Sequence, residues 1–85
     1  MENVVIEVIE SKCGHYTVGD RIYIKDALID KENSSEVCVM ALQAFFPFIY
    51  AIRKGVTPDQ MGFGEKLIVQ CPDYCDSVVF EIRKL

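Results

Sequence analysis

VCVMALQAFFPFIYAI, running from Val37 to Ile52, is the stretch that decides the fold. Of its 16 residues only Gln43 and Pro47 are not apolar. It falls short of the ~20 residues a membrane-spanning helix needs. The surrounding residues mark it as a helix from about Glu36 to Lys54. Ser34 or Ser35 can serve as N-cap, and Glu36 in the first turn suits the positive end of the helix dipole. Arg53 and Lys54 suit the opposite end, and Gly55 is the expected left-handed stop. Pro47 lacks an N–H and should kink the helix, freeing the carbonyl near Gln43. A helix apolar all round must be covered all round. One small sheet covers one face. The other face, with Phe45, Phe46, Phe48 and Tyr50 as candidates, needs a second chain or a ligand pocket beside the kink.

Working outward, Val4 to Glu10 is rich in β-branched residues and reads as a strand. Ser11 to His15 breaks it, and Gly19-Asp20 signals a turn. Arg21 to Lys25 alternates polar and apolar residues, as a half-buried strand does, with Ile22 and Ile24 inward. The first two strands form a hairpin with a long loop. Residues 26–34 read as a polar loop. After the helix, Val56 to Glu65 carries Pro58, Gly62 and Gly64 and reads as loop. Lys66 to Cys71 is a third strand, Pro72-Asp73 begins a turn, and Ser77 to Ile82 is a fourth strand with Val78, Phe80 and Ile82 inward. The expectation is one α+β domain over residues 1–85. Its order is ββαββ, with a four-stranded, mainly antiparallel sheet packed on one kinked apolar helix.

The chain has 85 residues and 51% are hydrophobic. So short a chain buries a modest core, and the excess apolar surface points to a homodimer or larger assembly. The net charge is −4. Basic residues occur in no run longer than Arg53-Lys54 and Arg83-Lys84, which argues against a nucleic-acid partner. Residues 1–36 hold eight acids and four bases, residues 37–85 five of each; the acidic half reads as a solvated face. Met1-Glu2-Asn3-Val4 has no basic segment followed by an apolar one, so no secretory signal is read and a cytosolic protein is expected. In that compartment thiols stay reduced. Cysteines then read as ligands or reactive groups before they read as disulfides.

There are four, Cys13, Cys38, Cys71 and Cys75, each where a regular element begins or ends. Three stretches carry a family resemblance. They are Cys13-Gly-His-x-x-Val18-Gly19-Asp20, then Cys38 opening an apolar helix with Pro47 and Arg53-x-Gly55, then Cys71-Pro72-Asp73 before Val78-Val79-Phe80-Glu81-Ile82. Together they resemble a family of small, uncharacterised bacterial and archaeal proteins of about this chain's length. The resemblance covers nearly the whole chain. It implies the fold and a three-cysteine set at Cys13, Cys38 and Cys71, with Cys75 outside the pattern. It brings no activity with it.

Three readings of that set stand side by side. Zinc or an iron–sulfur cluster takes thiolates, and a closed site would need a fourth ligand such as Cys75 or His15. However, the chain has no Cys-x-x-Cys pair. Alternatively, Cys38 in the first helical turn is a reactive thiol, its thiolate stabilised by unpaired amides, with Cys13 or Cys71 resolving a sulfenate. In the third reading the cysteines are small hydrophobes that pack. His15, the lone histidine, could bind metal or move a proton. Asp20 and Asp73 read as turn residues. Arg53 could hold an anion, although a basic residue suits a helix C-terminus without one.

Two functions follow. One is a cytosolic accessory module with a cysteine-based metal, cluster or thiol site, serving a larger redox or metabolic enzyme. The other is a non-catalytic, homo-oligomeric binding or assembly module. An independent enzyme is the least expected, because acid–base groups are few.

Overall fold

A computed structural model of the protein describes residues 3–85; the Met1-Glu2 part of the signal-sequence reading lies outside them. Five strands and one helix follow in the order β1 (Val4–Ser11), β2 (Arg21–Lys25), β3 (Leu28–Ile29), α1 (Val39–Arg53), β4 (Leu67–Gln70) and β5 (Val78–Lys84). All neighbouring strands are antiparallel, and the sheet order is β3-β2-β1-β5-β4. The class is α+β, but the expected four strands are five, so ββαββ becomes βββαββ. The additional strand lies inside the stretch expected to be loop. It holds two residues paired with Ile24 and Lys25 through the two-residue turn Asp26-Ala27, where Asp26 takes a positive φ of 57°. Leu28 and Ile29 are both exposed, so no burial alternation announces the strand.

Strand alternation puts Val4, Ile6, Val8, Ile22, Ile24, Leu67, Val69, Val78, Phe80 and Ile82 on one face of the sheet, in one core cluster. α1 lays Ala41, Phe45, Ile49 and Ile52 onto that face. The Phe45 and Phe80 rings meet edge to face, with centroids 5.5 Å apart. On the opposite face Val5 is buried. Glu7 forms an ion pair there with Arg83 at 2.7 Å and another with Arg21 at 3.6 Å.

α1 is shorter at its start than expected. It begins at Val39 with Cys38 as N-cap, not at Glu36 behind Ser34 or Ser35. The serines are engaged elsewhere. Ser34 Oγ accepts the Tyr23 N–H at 2.8 Å, and the Ser35 N–H donates to the Arg21 carbonyl at 2.8 Å. Both bonds hold this segment along β2, so it cannot coil. The other end is as expected. Gly55 takes φ 91°, its N–H donates to the Ile52 carbonyl, and the Val56 N–H donates to the Ala51 carbonyl, which is a Schellman stop. Pro47 lies on the exposed side of an uninterrupted helix, leaving the Gln43 carbonyl without its helical N–H.

Candidate functional site around Tyr16

Three cysteines arrive at one end of the sheet by separate routes. In β1, Val8 faces Phe80 but Glu10, not Ile9, faces Val79, and Ser11 faces Val78. Ile9 is therefore the extra residue of a β-bulge. Cross-strand partners share a face, so Ser11 lies on the helix side with the buried Val78. Without the bulge, alternation would turn Ser11 and Cys13 to the opposite face. With it, Cys13 packs against the core. Ser11 secures the loop: its Oγ donates to the Cys13 and Tyr16 carbonyls at 3.1 and 2.7 Å and accepts the Cys13 N–H at 3.2 Å.

The strand order bears directly on convergence. β1 and β4 are not neighbours; β5 runs between them. The Lys12 N–H donates to the Ser77 carbonyl, and the Cys71 N–H donates to the Val78 carbonyl. Cys13 and Cys71 thus flank the start of β5, with the backbones beside them two strand spacings, about 10 Å, apart. Cys71 is buried, while Cys13 and Cys38 are half-buried.

Tyr16 ties this end of the sheet to the segment that enters α1. Its ring stands edge-on to Phe80, centroids 5.7 Å apart, and only 5% of the residue is exposed. Its hydroxyl donates to the Glu36 carbonyl at 2.8 Å and accepts the Cys38 N–H at 2.9 Å, so one phenol fixes the segment that leads into α1. Burial pushes its pKa above the ordinary 10.0. The Cys38 N–H opposes that shift, and charge on Cys38, Cys13 or Cys71 adds to it. The sequence reading passed Tyr16 over, and a tyrosine inside a loop carries no signal that would have singled it out.

A cleft of about 200 Å³ opens beside this group, lined by His15, Tyr16, Glu36, Val37 and Cys38. No side chain caps α1, and its first turn holds no acid. The positive end of the helix is thus left without a neutralising group at Cys38. His15 is exposed, and its backbone N–H donates to Cys13 Sγ at 3.4 Å. Cys75 lies apart in an exposed turn, where Asp73 Oδ1 accepts the N–H groups of Cys75 and Asp76 at 3.2 Å each. Asp20 Oδ2 likewise accepts the Thr17 N–H at 2.9 Å. Both aspartates are engaged as turn residues. Arg53 forms an ion pair with Asp26 at 3.7 Å. Among the described residues, all four cysteines are free, and no group of three or more His, Cys, Asp or Glu side chains is placed to hold a metal ion.

The aromatic candidates divide. Phe45 belongs to the core and is corrected as a free-face residue, because at this helix position it points at Phe80. Phe48 is half-buried, edge-on to Phe63 at 5.4 Å. Phe46 and Tyr50 are 58% exposed. Compared with protein-family models, with curated proteins and with solved structures, the chain matches none of them.

Proposed function

We propose that the protein is a small accessory module whose working group is a thiol. Cys38 is the accessible member, and Cys13 and Cys71 are its partners. The observation that carries this reading is the place of Cys38 at the start of α1, where its N–H donates to the Tyr16 hydroxyl, no side chain caps the helix and a cleft opens. Cys38 alone among the three thiols lines that cleft. The matching chemistry is a two-electron oxidation. A hydroperoxide transfers one oxygen to the Cys38 thiolate, giving a sulfenic acid and the corresponding alcohol or water. A second thiol of the set then attacks that sulfur, forming a disulfide and releasing water.

Cys75 supplies the internal reference, as an exposed thiol in a turn with no helix end beside it. Competitive alkylation of the native protein, read per cysteine by mass spectrometry, should label Cys38 at least ten times faster than Cys75. Cys71 should react slowest. Cys38 labelling no faster than Cys75 would sink the reading and leave the cysteines as packing residues. Stoichiometric zinc or iron after anaerobic purification would replace thiol chemistry with a metal centre.

A further inference from the structure

We infer that the outer face of α1 is an interface between two copies of this chain, packed antiparallel about a two-fold axis. Apart from Glu36, which also lines the cleft beside Cys38, the residues involved are not those of the thiol site. Val39, Leu42, Phe46 and Tyr50 follow one another at intervals of three, four and four residues and form a single stripe on the helix. Val39 is 72% exposed, and Phe46 and Tyr50 are each 58% exposed. Beside the stripe runs the sheet edge β3, where Ile29, the cross-strand partner of Ile24, is 40% exposed. A groove of about 160 Å³ separates the two, lined in part by Ile29, Phe46 and Tyr50, with Arg53, the ion-pair partner of Asp26, also in its lining.

Three properties select a second copy as the occupant. The first is area. Each half-exposed aromatic leaves on the order of 100 Å² open, and with its aliphatic neighbours the patch reaches on the order of 500 Å². A two-fold contact doubles this to on the order of 1,000 Å², the size at which specific interfaces begin. The second is self-complementarity. An axis near the helix midpoint sets Val39 of one copy opposite Tyr50 of the other, and Leu42 opposite Phe46. Spacings of three and four are those of helices packed at shallow angles. The third is charge. The stripe carries none, while the exposed Glu36 precedes the helix and the exposed Lys54 ends it. Antiparallel packing brings each Glu36 to the other copy's Lys54, whereas parallel packing would pair like with like. A lipid surface fits less well, since the chain's net charge is −4 and interfacial helices are rich in basic residues.

Sedimentation equilibrium of the full chain tests the inference. The expected result is twice the chain mass of 9.7 kDa. Phe46→Glu should weaken association at least tenfold with an unchanged circular dichroism spectrum. Should Phe46→Glu not fold, surface charges decide: Glu36→Lys and Lys54→Glu should each weaken association, and the double variant should restore it. A monomeric wild type, an assembly larger than two, or a dimer indifferent to both sets of changes would overturn the inference. So would a monomer that binds anionic vesicles or a different protein through this face.

Discussion

Tyr16 anchors the loop after β1 to the segment that enters α1. Its hydroxyl is both donor and acceptor, to the Glu36 carbonyl and from the Cys38 N–H. Tyr16→Phe keeps the ring on Phe80 but leaves both backbone groups unpaired. Losing a buried partner of this kind costs about 1–3 kcal/mol, measurable by urea denaturation at neutral pH. The raised pKa adds a second signature. Above pH 10 the unfolded chain gives up its phenolic proton while the folded chain holds it, so the Tyr16 contribution declines as pH rises through that range. Stability measured against pH should fall less steeply above pH 10 in Tyr16→Phe than in the wild type. Equal slopes would show that the phenol is not held protonated by the fold. None of this was legible in the sequence, because the partners of Tyr16 are backbone groups some twenty residues away, which no local pattern encodes. The cysteines were legible as candidates by their positions at element ends. The turn of Cys13 toward the core was not, since it depends on an extra residue at Ile9 that hydrophobic alternation does not reveal.

The two ends of α1 show where local chemistry decides an element and where it is overridden. The C-terminal stop was readable because it is self-contained: Gly55, Ile52, Ala51 and Val56 make the Schellman bonds among themselves. Gly55→Ala meets no steric neighbour, so its cost is the left-handed backbone alone, about 1 kcal/mol. Thermal unfolding should show this as a small drop in Tm with native helix content. A Tm unchanged or raised would mean that the stop does not depend on the positive φ. The N-terminal start was misread because Ser34 and Ser35, good caps in isolation, are held by β2, and a cysteine with no capping bond takes the position. Strand β3 escaped for a related reason. Two exposed residues have no periodicity, and only pairing with β2 makes them a strand.

Across the whole molecule the helix-covered face and the open face of the sheet differ in kind. Alternation in β2 and β5 made the covered face legible, because apolar side chains had to lie together. The open face is electrostatic, and its pairs join residues as distant in sequence as Glu7 and Arg83, so only the strand order β2-β1-β5 brings them into line. The hydrogen bond from Arg83 holds the Glu7 carboxyl below its ordinary 4.5; burial opposes it, and charge from Arg21 and Arg83 adds to the lowering. Asp30 is lowered likewise, first by Asn33 and then by Lys25. A carboxyl that binds its proton less readily in the folded chain stabilises the fold above its unfolded pKa. That contribution is lost as pH falls through the folded value. Unfolding measured from pH 6 downward should therefore show stability declining below pH 4.5. Glu7→Gln should be less stable than the wild type at pH 6 and should lose less on acidification, so that the two curves converge at low pH. Parallel curves would place the acid sensitivity elsewhere. Because Glu7, Arg21 and Arg83 lie on the face away from α1, the same variant should leave Cys38 reactivity and helix-mediated association unchanged, separating the stability of the sheet from the chemistry at its edge.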